Sequence, residues 1–263
     1  MVPLPRYTTV SGVNLNTARE QLACQEIGDY VYVFGGTNDA GTLIRSVERA
    51  PISTNGTLGD FVALPATESE LVTARHSHAV VTAGNKVYVI GGNSGSLRRD
   101  LETATINADG TLGVFSTFPA ATSQLTVGSA DHTATVIGNY IYVIGGAKGT
   151  WSGAVERAAI DANGNPGAFS VFATATLTTA RGYHTATVVR DKLFIIGGTN
   201  SSSLNSIETA TITLATGDIS DFTTLGSNMV TTRAYHAAAA VGNHIYIAGG
   251  INGSTYEDSV ERL

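Results

Sequence analysis

The chain has 263 residues, of which 43% are hydrophobic and only 14% are charged, and its formal net charge is −6. That length is sufficient for a buried core, while the acidic balance argues against nucleic-acid binding. The single cysteine excludes an intrachain disulfide, and no apolar run is long enough to span a membrane. The N-terminus shows no secretion signal, and the low charge only weakly suggests an extracellular or envelope setting.

The predicted elements recur along the chain. Each of five units has an apolar strand that ends in a Gly-Gly doublet, and successive doublets lie 52 to 56 residues apart. In chain order the doublets are at residues 35–36, 91–92, 145–146, 197–198 and 249–250. In the second unit, four runs rich in Val, Ile, Thr and Tyr span residues 78–83, 86–90, 101–106 and 114–118. Because such runs favour strands and no helical periodicity accompanies them, the sequence predicts an all-β protein.

The strand before each doublet is apolar on both of its faces. In the second unit, Tyr88 and Ile90 face one side of the strand, and Val87 and Val89 face the other. A sheet that is covered on one face only alternates apolar with polar residues, whereas a sheet packed on both faces need not. This pattern predicts small sheets stacked against one another, as in a radial array of four-stranded blades.

Two further markers accompany the doublets. An Arg followed three residues later by His precedes the strands of several units, and an aliphatic residue followed by Glu comes after each doublet. The complete pairs are Arg75/His78, Arg181/His184 and Arg233/His236; the Glu series is Glu48, Glu102, Glu156, Glu208 and Glu261. These markers resemble the kelch repeat, most clearly over residues 179–198. The resemblance implies a β-propeller.

Counting strands predicts a five-bladed β-propeller of four-stranded antiparallel blades in a single domain. The expected blades are residues 15–70, 71–124, 125–176, 177–228, and 229–263 together with 1–14. The last unit stops after its third strand, so we expect residues 6–10 to supply the fourth strand and close the ring, which would leave no edge unpaired. Deletion of residues 1–12 is then expected to lower the melting temperature strongly.

Residues that recur in every blade are expected to serve the blade, since an active site occurs once. A buried Glu needs a partner, and the repeated Arg or nearby backbone amides are its candidates. The four His at 78, 132, 184 and 236 begin the strand nearest the axis. They fit hydrogen bonding between blades better than a metal site, although imidazoles around a channel can hold a metal. We predict no metal, no cofactor and no catalytic residue.

Residues that differ between blades are the better candidates for a site. The loops between the second and third strands of each blade, the b–c loops, vary in every unit, and variable loops on a rigid scaffold often carry binding. Their candidate ligand-binding residues are Trp151, Lys148, Arg98, Arg99, Tyr256, Asn38, Asn200 and Asn252, of which the three Asn also suit turns. Trp151 either contacts a ligand or packs on the next blade. Ser129 and Asp131, with Glu20, Gln21 and Cys24, depart from the repeat and suggest one asymmetric pocket at the axis.

Three functions remain open from the sequence. The first is a monomeric, non-catalytic binding module that presents the b–c loops to a protein or carbohydrate. The second is an enzyme acting on a small carbohydrate, of the mutarotase or epimerase kind found among kelch-type proteins. The third is a purely structural repeat of a larger surface protein. No nucleophile or phosphate-loop motif is discernible that would favour catalysis.

Overall fold

The computed structural model describes residues 12–119 and 121–263, which form a five-bladed β-propeller without helices. The predicted closing strand at residues 6–10 lies outside the described residues. Within the described part of the chain, no helix could cross a membrane. The strands therefore account for all of the regular structure described.

Each blade is a small antiparallel sheet whose strands follow one another in chain order. Blade one contains β1 (Ala23–Ile27), β2 (Tyr30–Phe34), β3 (Val47–Pro51) and β4 (Val62–Ala63). Blade two contains β5 (Ala79–Ala83), β6 (Lys86–Ile90), β7 (Leu101–Thr105) and β8 (Ser116–Thr117). Blade three contains β9 (Thr133–Ile137), β10 (Tyr140–Ile144), β11 (Ala154–Ala159) and β12 (Ser170–Thr176).

The last two blades depart slightly from this plan. Blade four contains β13 (Thr185–Val189), β14 (Lys192–Ile196) and β15 (Ile207–Thr213), and the long β15 pairs with both β16 (Asp218–Ile219) and β17 (Thr223–Thr224). Blade five contains β18 (Ala237–Val241), β19 (His244–Ala248) and β22 (Val260–Arg262). Its b–c loop folds into a two-stranded ribbon, β20 (Ile251–Asn252) and β21 (Thr255–Tyr256), which the sequence analysis did not predict.

The second strand of a blade is buried on both faces, as its apolar pattern predicts. In β6 the side chains from Val87 to Ile90 are completely buried. They divide between two apolar clusters, since Val87 and Val89 pack towards blade one whereas Tyr88 and Ile90 pack towards blade three. Similar clusters join blades three and four and blades four and five. The core thus lies between the blades.

A repeated ion pair fixes each blade internally. In blade two the guanidinium of Arg75 pairs with Glu102 and also donates to the Gly91 carbonyl oxygen at 2.8 Å. The same carboxylate accepts the backbone N–H groups of Val72 (2.7 Å) and Thr73 (2.9 Å). Equivalent pairs join Arg19 to Glu48, Arg181 to Glu208 and Arg233 to Glu261. The predicted structural role of the Glu series is therefore confirmed in these blades.

Neighbouring blades are also joined at the face away from the b–c loops. The tyrosine of the second strand donates its hydroxyl to a carbonyl oxygen in the third-to-fourth-strand turn of the next blade. These bonds run from Tyr32 to Gly110 (2.8 Å), from Tyr88 to Gly164 (2.8 Å) and from Tyr142 to Gly217 (2.9 Å). Among the described residues, blade five and blade one share neither such a bond nor an apolar cluster. The junction of these two blades therefore differs from the other four.

Candidate binding site

Every blade holds one residue in the left-handed backbone region at the same point, two residues after the position of the repeated Arg. The five residues and their φ angles are Gln21 (53°), Ser77 (53°), Asp131 (59°), Tyr183 (53°) and Tyr235 (58°). Sparsely populated conformations of this kind cost about 1–3 kcal/mol each, so the surrounding structure has to hold them. Because the conformation repeats while the side chain changes, one scaffold presents four different kinds of side chain at five equivalent positions.

Backbone hydrogen bonds connect these residues from blade to blade. The N–H groups of Ser77, Asp131, Tyr183 and Tyr235 each donate to the equivalent residue of the preceding blade, at 2.9, 2.9, 3.0 and 3.1 Å. Each of these residues directly precedes the first, innermost strand of its blade. The chain of bonds therefore runs around the axis and brings the side chains together there.

The side chains surround a pocket of about 800 Å³ on the axis. In the antiparallel pairing of the first two strands, Ala79 lies opposite Ile90, so the first strand begins where the second one ends. The pocket therefore opens on the same face as the b–c loops. The ribbon of blade five contributes Ile251 and Tyr256 to its wall, and blade one contributes Glu20.

Tyr183 and Tyr235 form one wall of this pocket, and a third aromatic side chain supports Tyr183 from behind. The rings of Tyr183 and Tyr235 stack with their centroids 3.8 Å apart and an interplanar angle of 26°. Trp151, from the b–c loop of blade three, meets Tyr183 edge-on at 5.9 Å and 70°. Trp151 also covers Gly182, where an added β-carbon would lie only 2.4 Å from the indole. The indole thus packs on the next blade and supports an aromatic residue of the pocket.

Asp131 is the acidic group closest to these rings. Burial raises the pKa of its carboxyl, while hydrogen bonds from Ser77 and Tyr183 act in the opposite direction. Its Oδ1 atom is buried and has no hydrogen-bond partner in the part of the chain that the structure describes. Burial, followed by the neighbouring Tyr235 and Asp131, raises the pKa of the Tyr183 hydroxyl far above its usual range. The raised pKa values of Tyr183 and Tyr235 keep both phenols protonated at neutral pH, beside the carboxyl of Asp131.

The four axial histidines are buried and carry no charge at neutral pH. Desolvation lowers the pKa of His78 and His184 to about 3 and that of His132 and His236 to about 4. Two of them bond across blades: the His184 Nε2 atom lies 3.0 Å from the Thr133 hydroxyl, and a matching 3.0 Å contact joins His236 to Thr185. These two contacts agree with the predicted hydrogen bonding between blades. For His78 and His132 the prediction is wrong, because both ring nitrogens are buried without a partner among the described residues. Among the described residues, no group of three or more His, Cys, Asp or Glu is placed to hold a metal.

Blade three fills the place of its missing arginine from a different part of the sequence. Ser129 stands where the other blades have Arg, and it is completely buried. The ammonium of Lys148 reaches back from the b–c loop and pairs with Glu156, whose side chain is fully buried. Lys148 thus provides the cation that Arg supplies elsewhere. Neither Ser129 nor Lys148 lines the axial pocket, and we do not include them in the candidate site.

The other predicted loop residues have separate positions. Arg98 pairs with Asp100, and Arg99 donates to the Leu125 carbonyl oxygen at 3.0 Å. Both lie in the b–c loop of blade two and are absent from the pocket wall.

The three asparagines have turn or loop contacts. Asn38 Oδ1 accepts the N–H groups of Ala40 and Thr42, as in an Asx turn, and Asn252 Oδ1 accepts the Thr232 hydroxyl at 2.6 Å. The backbone N–H of Asn200 donates within its loop at 3.4 Å. The Asn38 contacts agree with the turn interpretation.

Of the predicted residues, the structure brings Glu20, Gln21, Asp131 and Tyr256 to the pocket and places Trp151 directly behind it. Cys24 and Ser129 are not part of the pocket wall. The sequence analysis missed Tyr183 and Tyr235 as site residues. A usable signal was present, since the residue between Arg-x and His differs among the units, with Tyr in the last two, while its surroundings repeat. The structure adds the reason, because that position has a left-handed backbone and faces the axis.

Comparison with known proteins agrees with this architecture. A family model for the kelch motif matches residues 74–104, 180–208 and 232–263, which lie in blades two, four and five. No curated protein matches the chain. Each matched segment contains the repeated Arg, a Gly-Gly doublet and the Glu that pairs with the Arg. Three of the five blades thus match the kelch motif, which is consistent with a kelch-repeat family, and a kelch-repeat propeller suggests a protein-interaction or binding module in general.

Proposed function

We propose that this protein is a non-catalytic binding module that receives a protein ligand on the b–c loop face, over the axial pocket. The observation that carries this proposal is the set of five left-handed residues around the axis. Their backbone geometry is the same in every blade, whereas their side chains are an amide, a hydroxyl, a carboxylate and two phenols. A purely structural role would require only the shared geometry, so the asymmetric side chains support a ligand-specific role.

The exposed aromatic residues at the pocket support a protein ligand in particular. Tyr235 is 47% exposed and Tyr256 is 83% exposed, although both have large apolar rings. Tyrosine and tryptophan are enriched among the residues that dominate the energy of protein interfaces. A pocket of about 800 Å³ also lies within the range of typical ligand sites, and is large enough for a side chain together with part of its backbone.

The proposal can be tested by selecting a random peptide library on the purified protein. We expect the library to yield peptides whose affinity for Tyr235→Asn is at least about tenfold lower than their affinity for the wild type. The reason is that the loss of an aromatic contact buried by the ligand costs more than about 1 kcal/mol of binding free energy. Asparagine tolerates the left-handed backbone, so this variant removes the ring with little change to the chain path. The matched control is Asn163→Ala, an exposed position in a turn on the opposite face, and it should bind like the wild type.

Two further assays decide between this proposal and the other functions. If a glycan array gives ligands that depend on Tyr235 and the peptide library gives none, the ligand is a carbohydrate and the proposal of a protein ligand is wrong. If the wild type interconverts sugar anomers and Asp131→Asn does not, the protein is an enzyme. If the library yields no peptide whose binding depends on Tyr235, the axial pocket is not the binding site.

A further inference from the structure

We propose that the axial pocket selects a cationic side chain, a lysine ammonium or an arginine guanidinium, from the bound protein. This inference rests on the proposed function, because it specifies which chemical group of a protein ligand enters the pocket. It is carried by the acidic side chains and the aromatic rings of the pocket wall.

The pocket wall has acidic side chains but no strongly basic ones. Glu20 and Asp131 line the pocket, and neither lysine nor arginine is among the lining residues. The histidines that complete the wall are neutral at pH 7, because burial disfavours their charged form. The wall therefore attracts a cation and repels an anionic side chain or phosphate.

The basic residues near the axis do not offset this charge. In each blade one basic side chain pairs with the repeated Glu of the same blade. These basic residues are Arg19, Arg75, Lys148, Arg181 and Arg233. Each pair is internally neutral and lies within a blade. The negative charge of the pocket consequently has no basic counterpart in the pocket wall.

Asp131 provides a specific acceptor for such a cation. Its side chain is only partly buried and lines the pocket, so a ligand group in the pocket can reach the carboxyl. Hydrogen bonds to a charged group are stronger than those between neutral groups. An ammonium or guanidinium offers several donors and no acceptor, which suits a carboxylate acceptor.

The aromatic wall favours a cation over a neutral polar group. The electron-rich face of a tyrosine ring attracts an ammonium or guanidinium, and this attraction strengthens when the pair is removed from water. Tyr235 is half exposed and stacks on Tyr183, which lies next to Asp131. Tyr256 lines the pocket from the ribbon of blade five. A basic side chain that enters the pocket thus meets tyrosine rings and a carboxylate together.

The test uses the same peptide library, selected in parallel on the wild type, on Asp131→Asn and on Asp258→Asn. Asp131→Asn removes the charge and keeps a residue that tolerates the left-handed backbone. Asp258→Asn is the matched control, because it is the same chemical change at an exposed site in the b–c loop of blade five, outside the pocket wall. We expect Lys and Arg to be enriched in the pools from the wild type and Asp258→Asn, and not in the pool from Asp131→Asn.

Individual peptides then give the magnitude. Replacing the enriched Lys or Arg by Gln should weaken binding to the wild type about tenfold or more, and should hardly change binding to Asp131→Asn. Fluorescence of Trp151, the sole tryptophan, reports the binding, since the indole contacts Tyr183. If the wild-type peptides depend on Tyr235 but show no preference for Lys or Arg, the cation inference is wrong and the proposed function stands. If no pool depends on Tyr235, the proposed function itself fails.

Discussion

The replacement of Arg by Lys148 in blade three leads to the sharpest prediction about stability. Glu156 is completely buried, and Lys148 is the cation that balances its charge. Lys148→Ala leaves a buried carboxylate whose remaining donor is the Thr126 N–H at 2.7 Å. Removing one partner of a buried ion pair typically costs about 3–5 kcal/mol. For a chain of this size, that corresponds to a fall in melting temperature of roughly 6–20 °C.

A second substitution distinguishes this explanation from a loss of packing. In the double variant Ser129→Arg/Lys148→Ala, the arginine occupies the place it has in the other blades and should recover most of the stability. Ser129→Arg alone should destabilise, because two cations would then compete for one buried carboxylate. Differential scanning calorimetry and urea unfolding of the four proteins complete a double-mutant cycle. A melting temperature for Lys148→Ala within about 2 °C of the wild type would refute the reasoning, as would a double variant no more stable than Lys148→Ala.

Three further predictions concern the scaffold. Stability should fall as the pH drops from about 6.5 towards 4, because the unfolded chain takes up protons at its histidines near pH 6.5 and the folded chain does not until about pH 3–4. Near pH 5 each buried histidine then lowers the free energy of unfolding by about 2 kcal/mol. Between pH 6.5 and pH 5, the urea midpoint of His184→Gln should therefore fall less than that of the wild type. An imidazole that titrates near its ordinary pKa in the folded protein would contradict this. Glu208→Ala should destabilise more than Glu102→Ala in thermal unfolding. In Glu102→Ala, Arg75 keeps Asp100 as a partner, whereas in Glu208→Ala no other carboxylate of the described residues pairs with Arg181; equal losses would disprove this. Gly182→Ala should shift the emission of Trp151 and lower stability, whereas Gly226→Ala, with nothing within 4 Å of the added carbon, should do neither.

Much of the scaffold follows from the sequence, for a local reason. The Gly-Gly doublets, the strand lengths and the spacing between units are fixed by residues close together in the chain. Their fivefold recurrence predicts the fold without any knowledge of long-range contacts. The pairing of Arg with Glu was predictable for the same reason, because a buried charge has few possible partners within one repeat. The choice of the b–c loop face for binding followed from the variability of these loops.

The site itself was decided by the tertiary structure. Tyr183 and Tyr235 belong to different blades, and only closure around the axis stacks their rings. Lys148 carries no sequence mark of its role, since it reaches Glu156 from a loop in which the other blades have no such partner. Both the tyrosine stack and the ion pair depend on contacts between side chains from separate loops or blades. The spacing of the repeat in the sequence does not specify such contacts.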